Sequence, residues 1–149
     1  MSSLSLQPAT SADWEDVLHY ETMADSQYYP AYKDKKDIEA YMATSTVFFI
    51  VYEGKKVGTV SYQKKEDGSV YFNGLTVLPE CQHKGIATQA MHLLIATLPD
   101  TELLTAVVHP CNTPSLLICL KLGFTIKEWR ENVFGDGEPR LFVTRSSET

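Results

Sequence analysis

The stretch Gln82-His83-Lys84-Gly85-Ile86-Ala87 joins two segments of different pattern. It follows the apolar run Val70 to Leu78 and leads into a helical pattern from Thr88 to Leu98, which predicts a strand, a short loop and a helix. The loop contains one lysine, one glycine and no acidic residue. Because the first N–H groups of a helix have no partner inside it and carry partial positive charge, such a loop can bind a phosphate.

Three residues of this loop suit a pyrophosphate. Gly85 lets the backbone approach closely, Ala87 keeps the next turn small, and Gln82 can add a side-chain donor. The loop matches neither G-x-G-x-x-G nor G-x-x-x-x-G-K-[ST], and many strand-loop-helix turns with a Gly and a Lys bind nothing. The loop alone therefore does not decide whether a phosphate binds here.

Two further blocks of sequence decide between these alternatives. The segment Leu75-Thr76-Val77-Leu78-Pro79-Glu80 ends the strand before the loop, and Asn112-x-x-Ser115 is followed by Lys121-Leu122-Gly123-Phe124. Together with the loop, which fits [QR]-x-x-G-x-[GA], these blocks resemble the GNAT superfamily of acetyl-CoA-dependent N-acetyltransferases. Within it, residues 85–90 are closer to the ribosomal-protein N-acetyltransferase branch than to the histone branch.

The resemblance implies acetyl-CoA as cosubstrate and transfer of its acetyl group to a primary amine, by direct attack in a ternary complex. The amine would belong to a peptide N-terminus or a small molecule. The implied cofactor contacts are Leu75, Thr76, Val77, Gln82, His83, Lys84, Gly85, Ile86, Ala87, Thr88, Asn112 and Ser115.

The groups that move protons in this family are harder to assign. Where the family often has a tyrosine acid this chain has Cys119, and a buried thiol is more often inert packing than an acid. No glutamate lies on the strand before the loop, but Tyr71 and Asn73 share one side of an ideal strand and could line the acceptor site and hold a water. Alternatively, Tyr71 is simply a half-exposed aromatic residue of the strand. Asn112 is a candidate for the pantetheine amide or an ordered water, or simply a helix cap. His109 has a suitable intrinsic pKa for a base, or is a loop residue.

Three tyrosines lie where the family places its acceptor-binding loop, namely Tyr28, Tyr29 and Tyr32. They could form an aromatic wall for a substrate side chain or cation, or pack as ordinary loop residues.

Bulk properties narrow the function classes. The length of 149 residues suits one domain spanning residues 1–149, with 44% hydrophobic and 21% charged residues. A net charge of −6 argues against a nucleic-acid partner and is compatible with a cationic amine. No apolar run approaches the ~20 residues that span a bilayer, and Met1 to Ser5 lacks the pattern of a secretion signal. We therefore expect no membrane association.

The number and spacing of the cysteines indicate the redox state of the cellular compartment. Cys81, Cys111 and Cys119 are odd in number and have no C-x-x-C spacing, which argues against a disulfide framework and against a metal site. A reducing cytoplasm fits this pattern best.

The order of elements predicts an α/β fold, with a mixed, mostly antiparallel twisted sheet of about six to seven strands and about four helices on both faces. The predicted strands are Leu4–Gln7, Thr46–Glu53, Val57–Lys64, Val70–Leu78, Leu103–His109, Phe124–Arg130 and Arg140–Thr144. The predicted helices are a first one capped by Ser11 or Thr10, then Asp34–Thr44, Gly85–Thr97 and Thr113–Leu122. The first has Trp14, Val17, Leu18 and Met23 on its apolar side, and the third has Ile86, Ala90, Leu93, Leu94 and Leu98. The resemblance adds a gap between the strands ending at Leu78 and His109, which would hold the pantetheine arm.

Two other functions compete with the enzyme. A non-catalytic acyl-CoA-binding or sensing module on the same fold is favoured by the missing tyrosine and glutamate. A dinucleotide-binding domain is disfavoured by the glycine pattern and by the absence of an acid about 20 residues further on. A homodimer through the C-terminal hairpin is expected by family analogy only.

Overall fold

A computed structural model of the chain describes residues 3–23, 32, 34–99 and 102–146. Its strands are β1 (Leu4–Pro8), β2 (Thr46–Tyr52), β3 (Lys55–Lys64), β4 (Val70–Val77), β5 (Leu104–Val108), β6 (Thr125–Arg130) and β7 (Arg140–Arg145). Its helices are α1 (Trp14–Met23), α2 (Lys35–Thr44), α3 (Ile86–Ala96) and α4 (Thr113–Lys121). The predicted bounds agree with these to within one or two residues at most ends.

The seven strands form one sheet in the order β1-β2-β3-β4-β5-β7-β6. All neighbouring strands are antiparallel except β4 and β5, which are parallel and are connected through α3. This arrangement confirms the predicted mixed, mostly antiparallel sheet. Among the described residues no helix is long and apolar enough to cross a lipid bilayer.

The sheet opens between β4 and β5. These strands pair at Val70, Tyr71 and Phe72, opposite Leu104, Thr105 and Ala106, and their pairing stops there although β4 continues to Val77. The β5-facing backbone groups of β4 beyond Phe72 therefore face a gap. This is the opening that the family resemblance implied.

Strand β4 contains an extra residue just beyond that last pair. Ser61 of β3 pairs with Gly74 and Tyr62 pairs with Phe72, so Asn73 forms a β-bulge. A bulge changes the alternation of side chains along a strand. Leu75 therefore packs against one core, whereas Gly74 faces the other side of the sheet.

Two hydrophobic cores lie on opposite faces of the sheet. The main core joins the sheet to α3 and α4 and includes Val60, Val70, Phe72, Ile86, Ala90, Leu94, Leu104, Ala106, Phe124 and Val143. The second core joins the sheet to α1 and α2 and consists of Val17, Tyr20, Ile38, Tyr41, Val47 and Phe49. Helices thus cover both faces, as predicted.

Two helices are rotated relative to the predicted apolar sides. In α1 Met23 is 42% exposed, while Glu21 is fully buried. In α3 Leu93 is 39% exposed, while Met91 is buried. At about 100° per residue, Glu21 is closer than Met23 to the buried direction marked by Val17, and in α3 the buried residues Ile86, Ala90, Leu94 and Met91 extend the inward face on the side away from Leu93. The predicted inward positions of Met23 and Leu93 were wrong for this reason.

Candidate active site

The loop before α3 adopts a conformation that favours anion binding. A short 3-10 turn, Pro79–Cys81, follows β4, and His83 and Gly85 then take left-handed backbone angles, with φ of 66° and 77°. Gly85 is the N-cap residue of α3. Left-handed φ is readily adopted by glycine, so the loop depends on Gly85 for its shape.

The backbone N–H groups of this loop are available to bind an anion. Within the described residues, no hydrogen-bond acceptor is found for the backbone N–H groups of residues 83–88, and the first internal bond runs from the Gln89 N–H to the Gly85 carbonyl. The first turn of α3 contains no acidic residue. Free N–H groups and the positive end of the helix dipole together suit a phosphate or pyrophosphate.

A cleft of about 580 Å³ opens in front of these N–H groups and reaches α4. Its size falls within the usual range of small-molecule sites. It is lined by Leu75, Val77, Cys81, Gln82, His83, Gly85, Ile86, Ala87, Thr88, Asn112, Pro114, Ser115, Leu117, Ile118 and Lys121. Lys121, which the sequence offered either as a phosphate contact or as a solvent-facing residue, lines the cleft, whereas Cys81, Pro114, Leu117 and Ile118 were not predicted as site residues. Cys81 directly precedes Gln82, and the others share one side of α4 with Ser115. These positions are the signal that could have indicated them.

Ten of the twelve residues predicted to contact a cofactor line this cleft. Thr76 and Lys84 do not. The Thr76 hydroxyl is buried 2.8 Å from that of Thr59 on β3, because Thr76 and Leu75 face opposite sides of the strand. The Gln82 amide lines the cleft and donates to the Val77 carbonyl at 3.0 Å, so it also holds the loop against β4.

The N-terminus of α4 forms the far wall. Asn112 is the N-cap residue, and its side-chain oxygen accepts a hydrogen bond from the Ser115 N–H at 3.4 Å. The capping role is therefore observed. Both residues also line the cleft, so the same geometry leaves the Asn112 amide group beside whatever the cleft binds.

The opposite face of β4 contains a chain of hydrogen bonds centred on the bulge. The Ser61 hydroxyl donates to the Asn73 carbonyl oxygen at 2.8 Å, and the Asn73 amide donates to the Ser45 hydroxyl at 2.9 Å. The Tyr41 hydroxyl is also bonded to Ser61. Since the single Ser61 proton is directed at Asn73, Tyr41 is the donor in that bond. Both the oxygen and the nitrogen of the Asn73 amide are therefore hydrogen-bonded, and this series of hydrogen bonds holds the bulge in place.

Aromatic residues lie around these hydrogen-bonded side chains. Tyr32 stacks on Tyr41 with ring centroids 4.6 Å apart. Burial raises the pKa of Tyr32, Tyr41 and Tyr71, and the charge of Glu21 raises the pKa of the first two further. All three phenols are therefore neutral at physiological pH, which makes Tyr71 a hydrogen-bond donor rather than a base. Tyr28 and Tyr29 lie outside the described residues.

A family model described as "Acetyltransferase (GNAT) family" matches residues 11–124, which is more than half of the chain. The chain belongs to the GNAT acetyltransferase family. This confirms the resemblance seen in residues 82–87 and in the block from Asn112 to Phe124.

Solved structures show the same fold at low sequence identity. RimL, a ribosomal L7/L12 alpha-N-protein acetyltransferase in complex with coenzyme A, has a TM-score of 0.80 and 14% identity, covering 97% of this chain and 94% of its own. Mutant forms of the spermidine/spermine N-acetyltransferase SpeG from Vibrio cholerae have a TM-score of 0.76, 15% identity and coverages of 98% and 96%. A GNAT family acetyltransferase from Elizabethkingia anophelis with acetyl-CoA bound has a TM-score of 0.75, 16% identity and coverages of 96% and 97%.

Cys119 occupies the position where the family often has a tyrosine. It does not line the cleft. It packs against the main core from α4, and burial raises the pKa of its thiol to about 11. Its carbonyl accepts hydrogen bonds from the N–H groups of Leu122 and Phe124. These contacts favour a packing role.

His109, the other base candidate, is bound at both ring nitrogens. Its Nδ1 accepts a hydrogen bond from the Cys111 N–H at 3.0 Å, and its Nε2 lies 3.3 Å from the Glu138 carboxylate. Since Nδ1 is an acceptor, the proton is on Nε2 and points at Glu138. His109 is buried and links the end of β5 to the C-terminal hairpin.

Sequence reasoning missed Glu21, Tyr41 and Ser61, which meet on the face of the sheet that α1 and α2 cover. Glu21 lies four residues after the buried Val17 in α1, which places it on the inward face of the helix. That spacing is the signal that could have found it.

Proposed function

We propose that this chain transfers an acetyl group from acetyl-CoA to a primary amine. The observation that carries the proposal is the set of backbone N–H groups at residues 83–88, which open without acceptors among the described residues onto the 580 Å³ cleft. The donor set fits a pyrophosphate, because it is made of main-chain N–H groups at a helix N-terminus with no acidic residue in the first turn. Acetyl-CoA would supply the activated acetyl thioester.

The chain's own residues supply three things to the reaction. Residues 83–88 would hold the pyrophosphate, and Leu75 and Val77 would line the pantetheine path on the main-core face of β4. Asn112 would orient the arm from the start of α4. The backbone of β4 beyond Phe72, which has no β5 partner, would direct N–H groups at the oxygen that becomes negative during transfer.

The two faces of β4 support direct attack in a ternary complex. The cleft lies on the main-core face of β4, and the tyrosine-rich surface lies on the other face. The bulge at Asn73 and the opening beyond Phe72 are where the two faces meet. An amine that approaches from the tyrosine side can therefore reach a thioester in the gap without passing the cofactor.

The similar structures support an amine acceptor. RimL is a ribosomal L7/L12 alpha-N-protein acetyltransferase, and SpeG is a spermidine/spermine N-acetyltransferase. We carry both classes over as candidate acceptors, namely a peptide N-terminus and a small molecule. We further propose that residues 1–149 act as one domain in the cytoplasm, and that a homodimer forms through the C-terminal hairpin, whose edge strand β6 exposes Ile126 and Trp129.

Calorimetry with acetyl-CoA on Gly85→Glu tests the cofactor site. The carboxylate would stand beside the pyrophosphate, and like charges about 4 Å apart repel by about 4 kcal/mol at a protein surface, or roughly 1000-fold in affinity. The left-handed φ of Gly85 adds about 1–2 kcal/mol of backbone strain, which leaves the domain folded. Gly54→Glu is the matched control, because Gly54 has φ of 82° in an open turn between β2 and β3.

The outcomes separate the enzyme from the alternatives. Loss of binding in Gly85→Glu but not in Gly54→Glu supports the site, and equal affinity in a folded Gly85→Glu variant would overturn it. CoA release from acetyl-CoA with a panel of amines then tests transfer. Binding without any amine-dependent release would instead indicate the acyl-CoA-binding module.

A further inference from the structure

His109 connects the C-terminal hairpin to the turn that leads into α4. It directly follows β5 and is 5% exposed. Its Nε2 lies 3.3 Å from the Glu138 carboxylate, and its Nδ1 accepts a hydrogen bond from the Cys111 N–H at 3.0 Å. Glu138 belongs to the hairpin loop between β6 and β7 (residues 131–139), whereas Cys111 directly precedes Asn112, the N-cap of α4. One imidazole therefore contacts both the hairpin loop and the start of the helix.

The turn from His109 to Asn112 sets where α4 begins. The His109 carbonyl accepts the Asn112 N–H at 2.9 Å, and the His109 ring accepts the N–H two residues further on, as an asparagine side chain does in an Asx-turn. Asn112 in turn accepts the Ser115 N–H at 3.4 Å. Asn112 and Ser115 both line the cleft, whereas His109 does not. The two bonds to His109 therefore fix a wall of the cleft from outside it.

The hairpin loop holds Glu138 in place through a buried arginine. Arg140 is 1% exposed; its Nη2 donates to Asp136 at 2.8 Å and its Nη1 to the Pro139 carbonyl at 3.0 Å. The other carboxylate oxygen of Asp136 accepts the Glu138 N–H at 2.9 Å. Since a buried cation that loses its partner is strongly destabilising, the loop stays bound to Arg140. Glu138 therefore faces His109 from a fixed position.

The Glu138 carboxylate also selects the tautomer that the turn needs. A neutral imidazole has one N–H, and a carboxylate at Nε2 keeps the proton on that nitrogen. Nδ1 then has a lone pair for the Cys111 N–H. With the proton on Nδ1, two donors would face each other and this bond would be lost.

We propose that His109 is a positioning residue for acetyl-CoA binding, and that Glu138 of the hairpin loop determines its tautomer. The inference rests on the proposed binding of acetyl-CoA in the cleft. His109 acts through Asn112 and Ser115, and it neither contacts the cofactor nor moves a proton in the reaction. The hairpin is thereby coupled to the cofactor wall through Glu138, His109 and the Cys111 N–H.

Two substitutions separate the roles of the two ring nitrogens. His109→Asn keeps an acceptor for the Cys111 N–H, in the geometry of an Asx-turn, but does not reach Glu138. His109→Gln extends its amide towards Glu138 and leaves the Cys111 N–H without its acceptor. We expect calorimetry to show acetyl-CoA affinity reduced roughly five- to tenfold in His109→Gln, the value of one hydrogen bond, and within about twofold of wild type in His109→Asn. The KM for acetyl-CoA should rise by the same factor, with little change in the KM for the amine.

Variants of the half-exposed Glu138 test its part without altering the core. Glu138→Gln keeps an oxygen that can accept the Nε2 proton and should bind acetyl-CoA as wild type does. Glu138→Ala removes that acceptor and should weaken binding about threefold, within the range of one hydrogen bond. Glu131→Ala is the matched control, because Glu131 is an exposed carboxylate of the same loop that accepts from the Trp129 Nε1 instead. It should have no effect.

Nuclear magnetic resonance tests the same geometry without any ligand. In wild type the ¹⁵N signals of the His109 ring should show the proton on Nε2, and the Cys111 amide should be protected from hydrogen exchange. The protection should persist in His109→Asn and be lost in His109→Gln. Thermal midpoints of all variants separate these local effects from unfolding.

The outcomes are distinct. A proton on Nδ1 in wild type, or equal acetyl-CoA affinity in His109→Asn and His109→Gln, would overturn the role of His109. Wild-type affinity in Glu138→Ala would overturn the role of the hairpin loop. A wild type that has the expected Cys111 protection but does not bind acetyl-CoA would instead overturn the proposed function.

Discussion

Replacement of Gly74 by alanine tests whether the bulge is as tightly packed as its contacts indicate. The added methyl would lie 2.6 Å from the Ser61 hydroxyl and 2.7 Å from the Tyr41 hydroxyl, both far inside normal contact distance. Ser61 can rotate away only by giving up its bond to Asn73, and Tyr41 is 3% exposed and stacked on Tyr32. Overpacking of a core costs about 1–3 kcal/mol. A lost buried hydrogen bond adds about 1 kcal/mol.

We therefore expect Gly74→Ala to lower the free energy of unfolding by about 2–4 kcal/mol, the combined range of overpacking and a lost hydrogen bond. At about 2–4 °C per kcal/mol for a chain of this size, the melting temperature should fall by about 10 °C. Urea denaturation measures the first quantity and calorimetry the second. The displaced bulge should also reduce acetyl transfer.

A double-mutant cycle with Tyr41→Phe isolates the contact. The phenylalanine removes the hydroxyl that the new methyl would meet, so the double variant should be more stable than the sum of the two single effects by about 1 kcal/mol, within the range measured for residues in contact. Strict additivity, or a Gly74→Ala variant as stable as wild type, would show that Tyr41 and Ser61 do not press against β4.

Two further predictions concern α4. Because burial raises the pKa of the Cys119 thiol from 9.0 to about 11, its contribution to stability is complete below pH 9 and is lost as pH rises through 11; urea denaturation across this range should show a smaller decline for Cys119→Ala, with acetyl transfer unchanged within a few-fold. Loss of the cap in Asn112→Ala should cost about 1 kcal/mol of stability. Asn112→Asp should restore that stability but weaken acetyl-CoA binding by calorimetry, since it adds negative charge to the cleft.

The sheet could be predicted from sequence because its strands carry strong local signals. Thr46 to Tyr52 is almost wholly β-branched or aromatic, and the turn Glu53-Gly54 separates it from β3. The loop before α3 could be predicted equally well, because its features are local: a strand, a glycine with left-handed φ and a helix N-terminus lie within a few residues of one another. Such features need no knowledge of distant contacts.

The polar cluster on the face of the sheet covered by α1 and α2 was harder to predict, because its residues are distant in sequence. Glu21, Tyr41, Ser61 and Asn73 come from two helices and two strands and meet only when α1 and α2 pack on the sheet. In a helix whose charged residues lack any evident pattern, Glu21 is read as a solvent-facing charge. Its burial is a tertiary fact that overrides this local expectation.

The bulge explains most directly why the faces of β4 could not be assigned from the sequence pattern. In an ideal strand Tyr71, Asn73, Leu75 and Val77 would all face one side. The extra residue at Asn73 changes the alternation, so that Leu75 and Val77 line the cleft while Asn73 and Gly74 face the side of α1 and α2. In a regular strand of this sequence Asn73 would instead share a face with Leu75 and Val77. For this reason we expect the proposed acetyl transfer to depend on the bulge rather than on any one side chain on it.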